Sequence, residues 1–373
     1  MNVPLFDLKN QHEHLTQELT AAFSRVLESG QFILGKEVVE FEAAVSASAG
    51  TRHAIGVSSG TDAILLALMA LNIGPGHEVL CPAFTFFATA GCVARVGATP
   101  IFVDSCATCF NLDVSDAARR LTPRTKAVLP AHLFGQTADM SAIRDFATAN
   151  KLWVIEDAAQ AIGASYRGQP AGSMGDFGTF SFFPTKNLGA LGDAGALVTN
   201  DNELAERARL LRNHGAEKQY FHKLVGGNFR LDALQAAFLR IKFPHLEGYT
   251  EKRRQNAALY SNALSHLHGH AFHLPMEMLC NYHIWNQYTI RVANGRRDEL
   301  RHYLTEHGIG SAIYYPVALH RQECFAVPNP PTLPVAERLA EECLSLPIYP
   351  ELTNEELQAV AGTVSQFFAK SAR

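Results

Sequence analysis

The sequence lacks a strong excess of charge of either sign, and it lacks any long hydrophobic run. Its 32 Lys and Arg residues nearly balance 36 Asp and Glu residues, which leaves a net charge of -4. That balance provides no basic field for nucleic acid, so we expect no nucleic-acid partner. No stretch reaches the ~18 apolar residues of a membrane helix, and the first residues lack the basic and apolar regions of a signal peptide. The sequence therefore predicts a cytoplasmic protein without a membrane segment.

Cysteine is scarce and odd in number, which argues against a disulfide framework. The chain has 7 cysteines among 373 residues, and we expect reduced, mostly buried thiols. Cys106 and Cys109 have C-x-x-C spacing, but a structural zinc site needs about four ligands and no second pair matches. The H-E-x-x-H motif is also missing. The sequence therefore predicts no metal site.

Short apolar runs alternate with amphipathic segments through the first two thirds of the chain. The runs are HAIGV, EVLCP, TPIFVD, KAVLPAH, LWVIED, FGTFSFF and GALVTN. Near-continuous apolar strands separated by helices are typical of a mostly parallel sheet covered on both faces. We therefore predict a large α/β domain over residues 14–245. The more polar remainder predicts a smaller α+β domain over residues 246–373, which also takes in residues 1–13.

Polar and reactive side chains follow several of these strands. SSGTDA follows HAIGV, AFTFF follows EVLCP, DAAQA follows LWVIE, and PTKNLG follows FGTFSFF. Ligands of open α/β sheets lie beyond the carboxyl ends of the strands. We therefore expect hydroxyls, an aromatic pair, a carboxylate and a lysine to meet at one rim.

Lys186 and Asp157 are the pair that points to a reaction. A lysine beside apolar residues loses hydration of its charged form, which lowers its pKa, and a neutral amine forms a Schiff base with an aldehyde. Asp157 can hold a pyridinium nitrogen, the partner that pyridoxal phosphate needs besides its lysine. Alone, Lys186 also fits a solvated loop residue, and Asp157 fits a helix N-cap. Together they favour a pyridoxal-phosphate enzyme.

The remaining needs of this cofactor are met nearby. Gly60 and Thr61 open a predicted helix, and Ser181 adds a hydroxyl, so these residues can bind a phosphate. Phe86 can stack on the flat ring, although ordinary core packing is an alternative for this residue.

These motifs together resemble the DegT/DnrJ/EryC1/StrS aminotransferases, which act on nucleotide-linked keto-sugars. The resemblance rests on SSGTDA, PAFTFFATA, VIEDAAQAIGA, SFFPTKNLGALGDAG and GGNFRLDALQAAFL, and it extends from SGQFILGKEVVEFE through YYPVALHRQECF. It implies the aspartate-aminotransferase fold and pyridoxal 5'-phosphate as cofactor, with pyridoxamine phosphate as its intermediate form. It further implies glutamate as amino donor and a homodimer with shared active sites.

The resemblance also implies roles for individual residues. Lys186 matches the Schiff-base and acid–base lysine, and Asp157 matches the partner of the pyridine nitrogen. Gln160 matches the residue beside the ring hydroxyl or ring face, and Phe86 matches the stacking aromatic. The implied phosphate contacts are Gly60, Thr61 and Ser181 of the same subunit. Asn228 is implied to reach the phosphate from the partner subunit. The implied substrate contacts are Arg230, Tyr314 and Tyr315. Among the 16 histidines, we predict that His320 also contacts substrate.

Two departures from the family pattern lie near the predicted substrate. Many relatives have tyrosine where this chain has Gly227, and histidine where it has Tyr314. Lys186 is kept, whereas dehydratase relatives have histidine there, so the sequence favours transamination. We predict a 3-keto sugar linked to UDP or dTDP, and the sequence leaves the nucleotide open.

Two other functions stay open at this point. GVSSG matches the G-x-S-x-G elbow of serine hydrolases, with Ser58 as the nucleophile. A non-catalytic regulator of the same fold is the second alternative, although it would not need Lys186, Asp157 and the phosphate residues together.

Overall fold

The computed structural model describes residues 2–269 and 271–370 of the chain. The strands are β1 (His53–Val57), β2 (Glu78–Pro82), β3 (Thr99–Val103), β4 (Thr125–Val128), β5 (Trp153–Asp157), β6 (Ser165–Tyr166), β7 (Gln169–Pro170), β8 (Phe177–Ser181), β9 (Gly195–Thr199), β10 (Ala216–Lys218), β11 (Phe221–His222), β12 (Phe272–His273), β13 (Asn281–Tyr282), β14 (Tyr288–Val292) and β15 (Cys343–Leu346). The helices are α1 (Leu8–Glu13), α2 (Thr16–Ser29), α3 (Lys36–Ala49), α4 (Gly60–Ala70), α5 (Phe87–Arg95), α6 (Val114–Arg120), α7 (Met140–Asn150), α8 (Asn202–Arg212), α9 (Ala233–Lys242), α10 (Leu246–Ala263), α11 (Arg297–Glu306), α12 (Pro334–Glu342) and α13 (Asn354–Lys370). Within these two described ranges, no helix is both long enough and apolar enough to cross a bilayer.

Seven strands form a central sheet in the spatial order β1-β9-β8-β5-β4-β2-β3. The five strands from β8 to β3 pair in parallel. β9 pairs antiparallel with both β1 and β8, so these two strands also point the same way. Six strands therefore end at one edge of the sheet. The predicted α/β fold with a mostly parallel sheet is confirmed.

Helices cover both faces of this sheet. Alternate residues of β1 and β9 belong to two different core clusters, with Ile55 and Leu197 in one and Ala54 and Val198 in the other. The first cluster takes side chains from α4, α5 and α8, and the second takes them from α2, α3 and α9. Burial on both faces explains why β9 consists of an unbroken apolar run.

A second sheet lies in the C-terminal part of the chain. It has three antiparallel strands in the order β12-β14-β15. Helices α10, α11 and α13 share a core with it that includes Tyr260, Tyr288 and Leu300. Val3 forms an isolated bridge with Ile309, so the N-terminal segment lies against this part of the chain. The division into domains at residue 245 stays a prediction.

Candidate active site

The carboxyl ends of the parallel strands open onto a cavity of about 460 Å³. Its wall comes from the segments that follow β1, β2, β4, β5 and β8, with further residues from the C-terminal region. The residues of this wall that were predicted from the sequence are Gly60, Thr61, Phe86, Asp157, Gln160, Ser181, Lys186, Tyr314 and Tyr315. Wall residues that were not predicted include Thr85, His132, Asp193 and Gln287.

The start of α4 meets the end of β8 on one side of this cavity. Ser59 caps α4, and its hydroxyl accepts a hydrogen bond from the backbone N–H of Asp62 at 3.1 Å. A Cβ on Gly60 would lie 2.6 Å from the Cβ of Ser181, so only glycine fits this close approach. The free N–H groups of the helix start lie beside the hydroxyls of Thr61 and Ser181. This combination suits the phosphate of a cofactor.

Asp157, the last residue of β5, is 6% exposed and lines the cavity. Its Oδ2 accepts a hydrogen bond from Oγ1 of Thr89 at 2.7 Å, and its Oδ1 accepts one from the backbone N–H of Ala159 at 3.2 Å. A carboxylate has about four lone-pair sites, so two stay available to a donor in the cavity. The N–H of a protonated pyridine ring is such a donor. Residues 158–164 form turns rather than a helix, so Asp157 is not a helix cap.

Lys186 lies in the loop after β8, with part of its surface open on the cavity wall. Burial lowers the pKa of this amine to about 8, and Asp157 opposes that effect by stabilising the charged form. The loop is tightly folded, since the backbone N–H of Lys186 donates to the backbone carbonyl of Phe183 at 2.9 Å. A Cβ on Gly189 would lie 2.2 Å from the carbonyl oxygen of Pro184. This fold holds a readily deprotonated amine at the end of the strand, where it can react with an aldehyde.

Gln160 connects the cavity wall to the C-terminal region. Its Oε1 accepts a hydrogen bond from the Phe134 N–H at 2.6 Å, and its Nε2 donates to the hydroxyl of Tyr315 at 3.1 Å. Burial raises the pKa of Tyr315 above its usual range, so the phenol stays neutral. The half-exposed ring of Phe86 lies 6.0 Å from the ring of Tyr315, centroid to centroid. The two rings give the cavity an aromatic wall against which a flat heterocycle can lie.

Asn228 and Arg230 lie in a neighbouring cavity of about 370 Å³ rather than in the cavity of Lys186. Asp193 lines both cavities. Arg230 donates to Oδ1 of Asn213 at 2.7 Å, and its backbone forms an isolated bridge with Val57 at the end of β1. Within one subunit, Asn228 and Arg230 therefore lie beside the cavity of Lys186 but do not line it.

His320 lines neither of these two cavities. It is 2% exposed, its Nε2 lies 2.8 Å from Oε1 of Glu337, and its ring lies 6.3 Å from that of Phe102, centroid to centroid. Burial lowers the pKa of His320, although Glu337 favours the charged form. The geometry gives the predicted substrate contact no support, because the side chain is already packed and hydrogen-bonded.

Ser58 does not have the surroundings of a hydrolytic nucleophile. Its hydroxyl donates to Oδ2 of Asp62 at 2.5 Å, and the residue lines the neighbouring cavity. In the part of the chain that the structure describes, we find no imidazole hydrogen-bonded to this hydroxyl. Without such a base the serine is not activated, so the geometry disfavours the hydrolase alternative.

Thr89 and His132 are contacts that the sequence did not reveal. Thr89, in α5, donates a hydrogen bond to the carboxylate of Asp157. His132, in the segment after β4, lies 2.8 Å from the carboxylate of Glu156. Thr85 lies before the start of α5 and Thr89 lies in its first turn, so no helical spacing links the two threonines in the sequence. Nothing in the sequence around His132 distinguishes it from the other histidines.

Comparison with known proteins adds a family to this geometry. The sequence model of the DegT/DnrJ/EryC1/StrS aminotransferase family matches residues 13–365. The chain is 48% identical, over 99% of both sequences, to a pleiotropic regulatory protein of Geobacillus stearothermophilus. It is 46% identical, over 97% of both, to the UDP-N-acetyl-3-dehydro-alpha-D-glucosamine 3-aminotransferase of Acidithiobacillus ferrooxidans. Among solved structures, S. venezuelae DesV in complex with a ketimine intermediate superposes with a TM-score of 0.95, at 44% identity and 98% coverage of both chains.

Proposed function

This chain belongs to the DegT/DnrJ/EryC1/StrS aminotransferase family, whose cofactor is pyridoxal phosphate, and we propose that it moves the amino group of glutamate to a nucleotide-linked 3-keto sugar. The observation that carries the proposal is the meeting of Lys186, Asp157 and the start of α4 around one cavity. A relative that is 46% identical over nearly the whole chain is named for amination of a UDP-linked 3-dehydro sugar. We further predict that the enzyme acts in the cytoplasm.

The residues of the cavity fit the cofactor at each of its polar groups. When bound, pyridoxal phosphate supplies an electron sink for the negative charge that develops on the amino-bearing carbon. Lys186 would hold the cofactor covalently and, once released, would carry the proton between the substrate carbon and the cofactor carbon. A pKa of about 8 suits both tasks, because the amine can lose and regain a proton near neutral pH.

Asp157 keeps the ring nitrogen protonated in this proposal, because its free lone pairs face the cavity from the end of β5. Gly60, Thr61 and Ser181 would bind the phosphate at the start of α4. Phe86 would lie against the ring, and Gln160 would donate its second amide hydrogen to the ring hydroxyl, since the first is used by Tyr315.

We propose a homodimer in which each active site takes residues from both subunits. Asn228 and Arg230 would complete the partner's site, which explains why they lie in a separate cavity within one subunit. Large apolar side chains are exposed near both cavities, as a covered face requires. They are Phe32 at 46%, Ile33 at 54%, Phe86 at 54%, Phe183 at 49% and Leu191 at 41% exposed.

Mixing two inactive variants tests the shared site. Lys186→Ala and Asn228→Ala homodimers should each be inactive or weak, but a mixed dimer contains one intact site. Random exchange of subunits should therefore restore about a quarter of the wild-type activity. Each variant re-mixed with itself is the control. No recovery, despite exchange shown by differently tagged subunits, would remove the shared-site proposal.

A panel of keto-sugar nucleotides with glutamate tests the function itself. Purified holoenzyme should form 2-oxoglutarate with 3-keto sugars linked to UDP or dTDP, and turnover with the 4-keto isomers should be lower. The same assay separates an enzyme from a regulator, which matters because one relative is named as a regulatory protein. If no sugar in the panel yields 2-oxoglutarate while the protein binds pyridoxal phosphate, the regulator alternative replaces our proposal.

A further inference from the structure

We infer that Thr89 is a positioning residue that holds the Asp157 carboxylate in the orientation needed by the cofactor ring; this inference rests on the proposed function. Thr89 lies in the first turn of α5 and is completely buried. It is absent from the cavity wall, so it acts only through Asp157. The chain places these two residues 68 positions apart and the fold brings them within 2.7 Å.

The hydrogen atoms of the neighbouring hydroxyls can be assigned by counting donors. An ionised carboxylate only accepts hydrogen bonds, so Thr89 must donate its single hydroxyl hydrogen to Oδ2 of Asp157. Oγ1 of Thr85 lies 3.1 Å from Oγ1 of Thr89, and the only hydrogen left for that contact belongs to Thr85. Thr85 therefore donates to Thr89, and Thr89 donates to Asp157. Such a chain polarises its members and strengthens the last hydrogen bond.

The surroundings give this last hydrogen bond its importance. Cys92 packs near Asp157, and burial raises the pKa of that thiol to about 12, so it stays neutral and supplies no charge. Oδ1 of Asp157 is held by the backbone of Ala159, which no side-chain substitution removes. Thr89 is thus the side chain whose hydrogen bond fixes the rotation of the carboxylate.

Loss of the hydroxyl changes the proton shared between the carboxylate and the ring nitrogen. Without the Thr89 donor, the carboxylate would be free to rotate, and it would hold the proton of the ring nitrogen less firmly. A neutral ring is a poorer acceptor of the developing charge, so turnover falls while binding of glutamate is little affected. A residue with only a packing role would change neither the protonation of the ring nor the ratio of kcat to KM.

The test compares Thr89→Val with two controls. Thr89→Ser keeps the hydroxyl. Thr179→Val removes a buried hydroxyl from the neighbouring strand, where it bonds the backbone carbonyl of Glu156 at 3.1 Å and not the Asp157 carboxylate. The readouts are the ¹⁵N chemical shift of the ring nitrogen in labelled pyridoxal phosphate, the dissociation constant of the cofactor, and kcat and KM for glutamate.

For Thr89→Val we expect the ¹⁵N shift to move toward the neutral-pyridine value and the cofactor to bind about 10-fold more weakly. We expect kcat to fall about 10- to 100-fold with little change in KM. Thr89→Ser and Thr179→Val should match wild type in the ¹⁵N shift. If Thr89→Val does not fold, Thr89→Ala removes the same hydroxyl without adding volume and takes the same readouts. A folded Thr89→Val protein with a wild-type ¹⁵N shift and cofactor affinity overturns the inference, whereas a wild type that binds no cofactor overturns the proposed function instead.

Discussion

Glu156 and Asp157 are consecutive carboxylates on β5, yet their side chains enter opposite environments. Glu156 is completely buried and accepts four hydrogen bonds, from His132 at 2.8 Å and from the backbone N–H groups of Gly172, Met174 and Gly175 at 2.8, 2.6 and 2.5 Å. Asp157 accepts two and lines the cavity. A saturated carboxylate holds loops together, while one with spare lone pairs can bind a ligand. The difference shows that acceptor capacity, rather than burial, distinguishes a carboxylate that only holds loops together from one that is free to bind a ligand.

Lys186 and Lys242 repeat this contrast with amines. Burial lowers the pKa of both to about 8. Lys242 is fully buried, donates to the carbonyl of Gly189 at 2.5 Å and lies 3.0 Å from Nε2 of His12. Lys186 instead meets the cavity. A lowered pKa therefore does not identify the reactive lysine until its partners and its access are known.

The largest effect should come from the two lysines. Lys186→Ala should lower kcat by at least about 10³-fold, because covalent attachment and proton transfer are both lost. Lys242→Met should instead lower the free energy of unfolding by about 1–3 kcal/mol, because the Gly189 carbonyl loses its donor. The measurements are 2-oxoglutarate formation and urea unfolding. Full transaminase activity in Lys186→Ala would show that the assignment of the lysine is wrong.

The two carboxylates should separate activity from stability in the same way. Asp157→Asn should lower kcat about 10²- to 10³-fold with little change in unfolding, because a neutral amide does not keep the ring nitrogen protonated. Glu156→Gln should lower the free energy of unfolding by about 3 kcal/mol, because its NH₂ group would face backbone donors. Its turnover per folded molecule should stay close to wild type. The comparison fails if Glu156→Gln is stable and Asp157→Asn is unfolded.

The pH dependence of cofactor capture measures the pKa of Lys186 directly. A lowered pKa means that neutral amine is available at lower pH than in a free lysine. With a pKa of about 8, the rate of covalent capture by apoprotein should rise about 10-fold per pH unit below that value and level off above it. Stopped-flow absorbance after mixing with pyridoxal phosphate follows this rate. An inflection near the ordinary lysine value of about 10.4 would show that burial does not act on this amine.

The smallest effect should come from Ser58. Ser58→Ala should lower the free energy of unfolding by about 1–2 kcal/mol, because Asp62 loses a hydrogen-bond donor. Transaminase turnover should stay within about twofold of wild type, and a covalent serine-hydrolase probe should label neither protein. Labelling that disappears in Ser58→Ala would bring back the hydrolase alternative.

The seven strands of the central sheet and the residues that follow them were predictable because each depends on local pattern. β1 and β5 begin and end within a residue of their apolar runs, and Ser59 caps α4 where the glycine turn predicts a helix start. Contacts between distant segments were not predictable, and Thr89 on Asp157 is the clearest case. The sequence also did not show that His320 would pair with Glu337, because each residue, read alone, is typical of an exposed position.

The attachment of residues 228–230 to β1 has a consequence for how two subunits would cooperate. The backbone bridge between Val57 and Arg230 is continued by the Ser58 N–H, which donates to the carbonyl of Phe229 at 3.0 Å. In the proposed dimer, the residues that one subunit contributes to the partner's site would therefore lie on an extension of its own central sheet. Because this segment is already ordered, association of the two subunits would cost little conformational entropy. A shift of β1 in one subunit would also move the residues that it contributes to the partner's site.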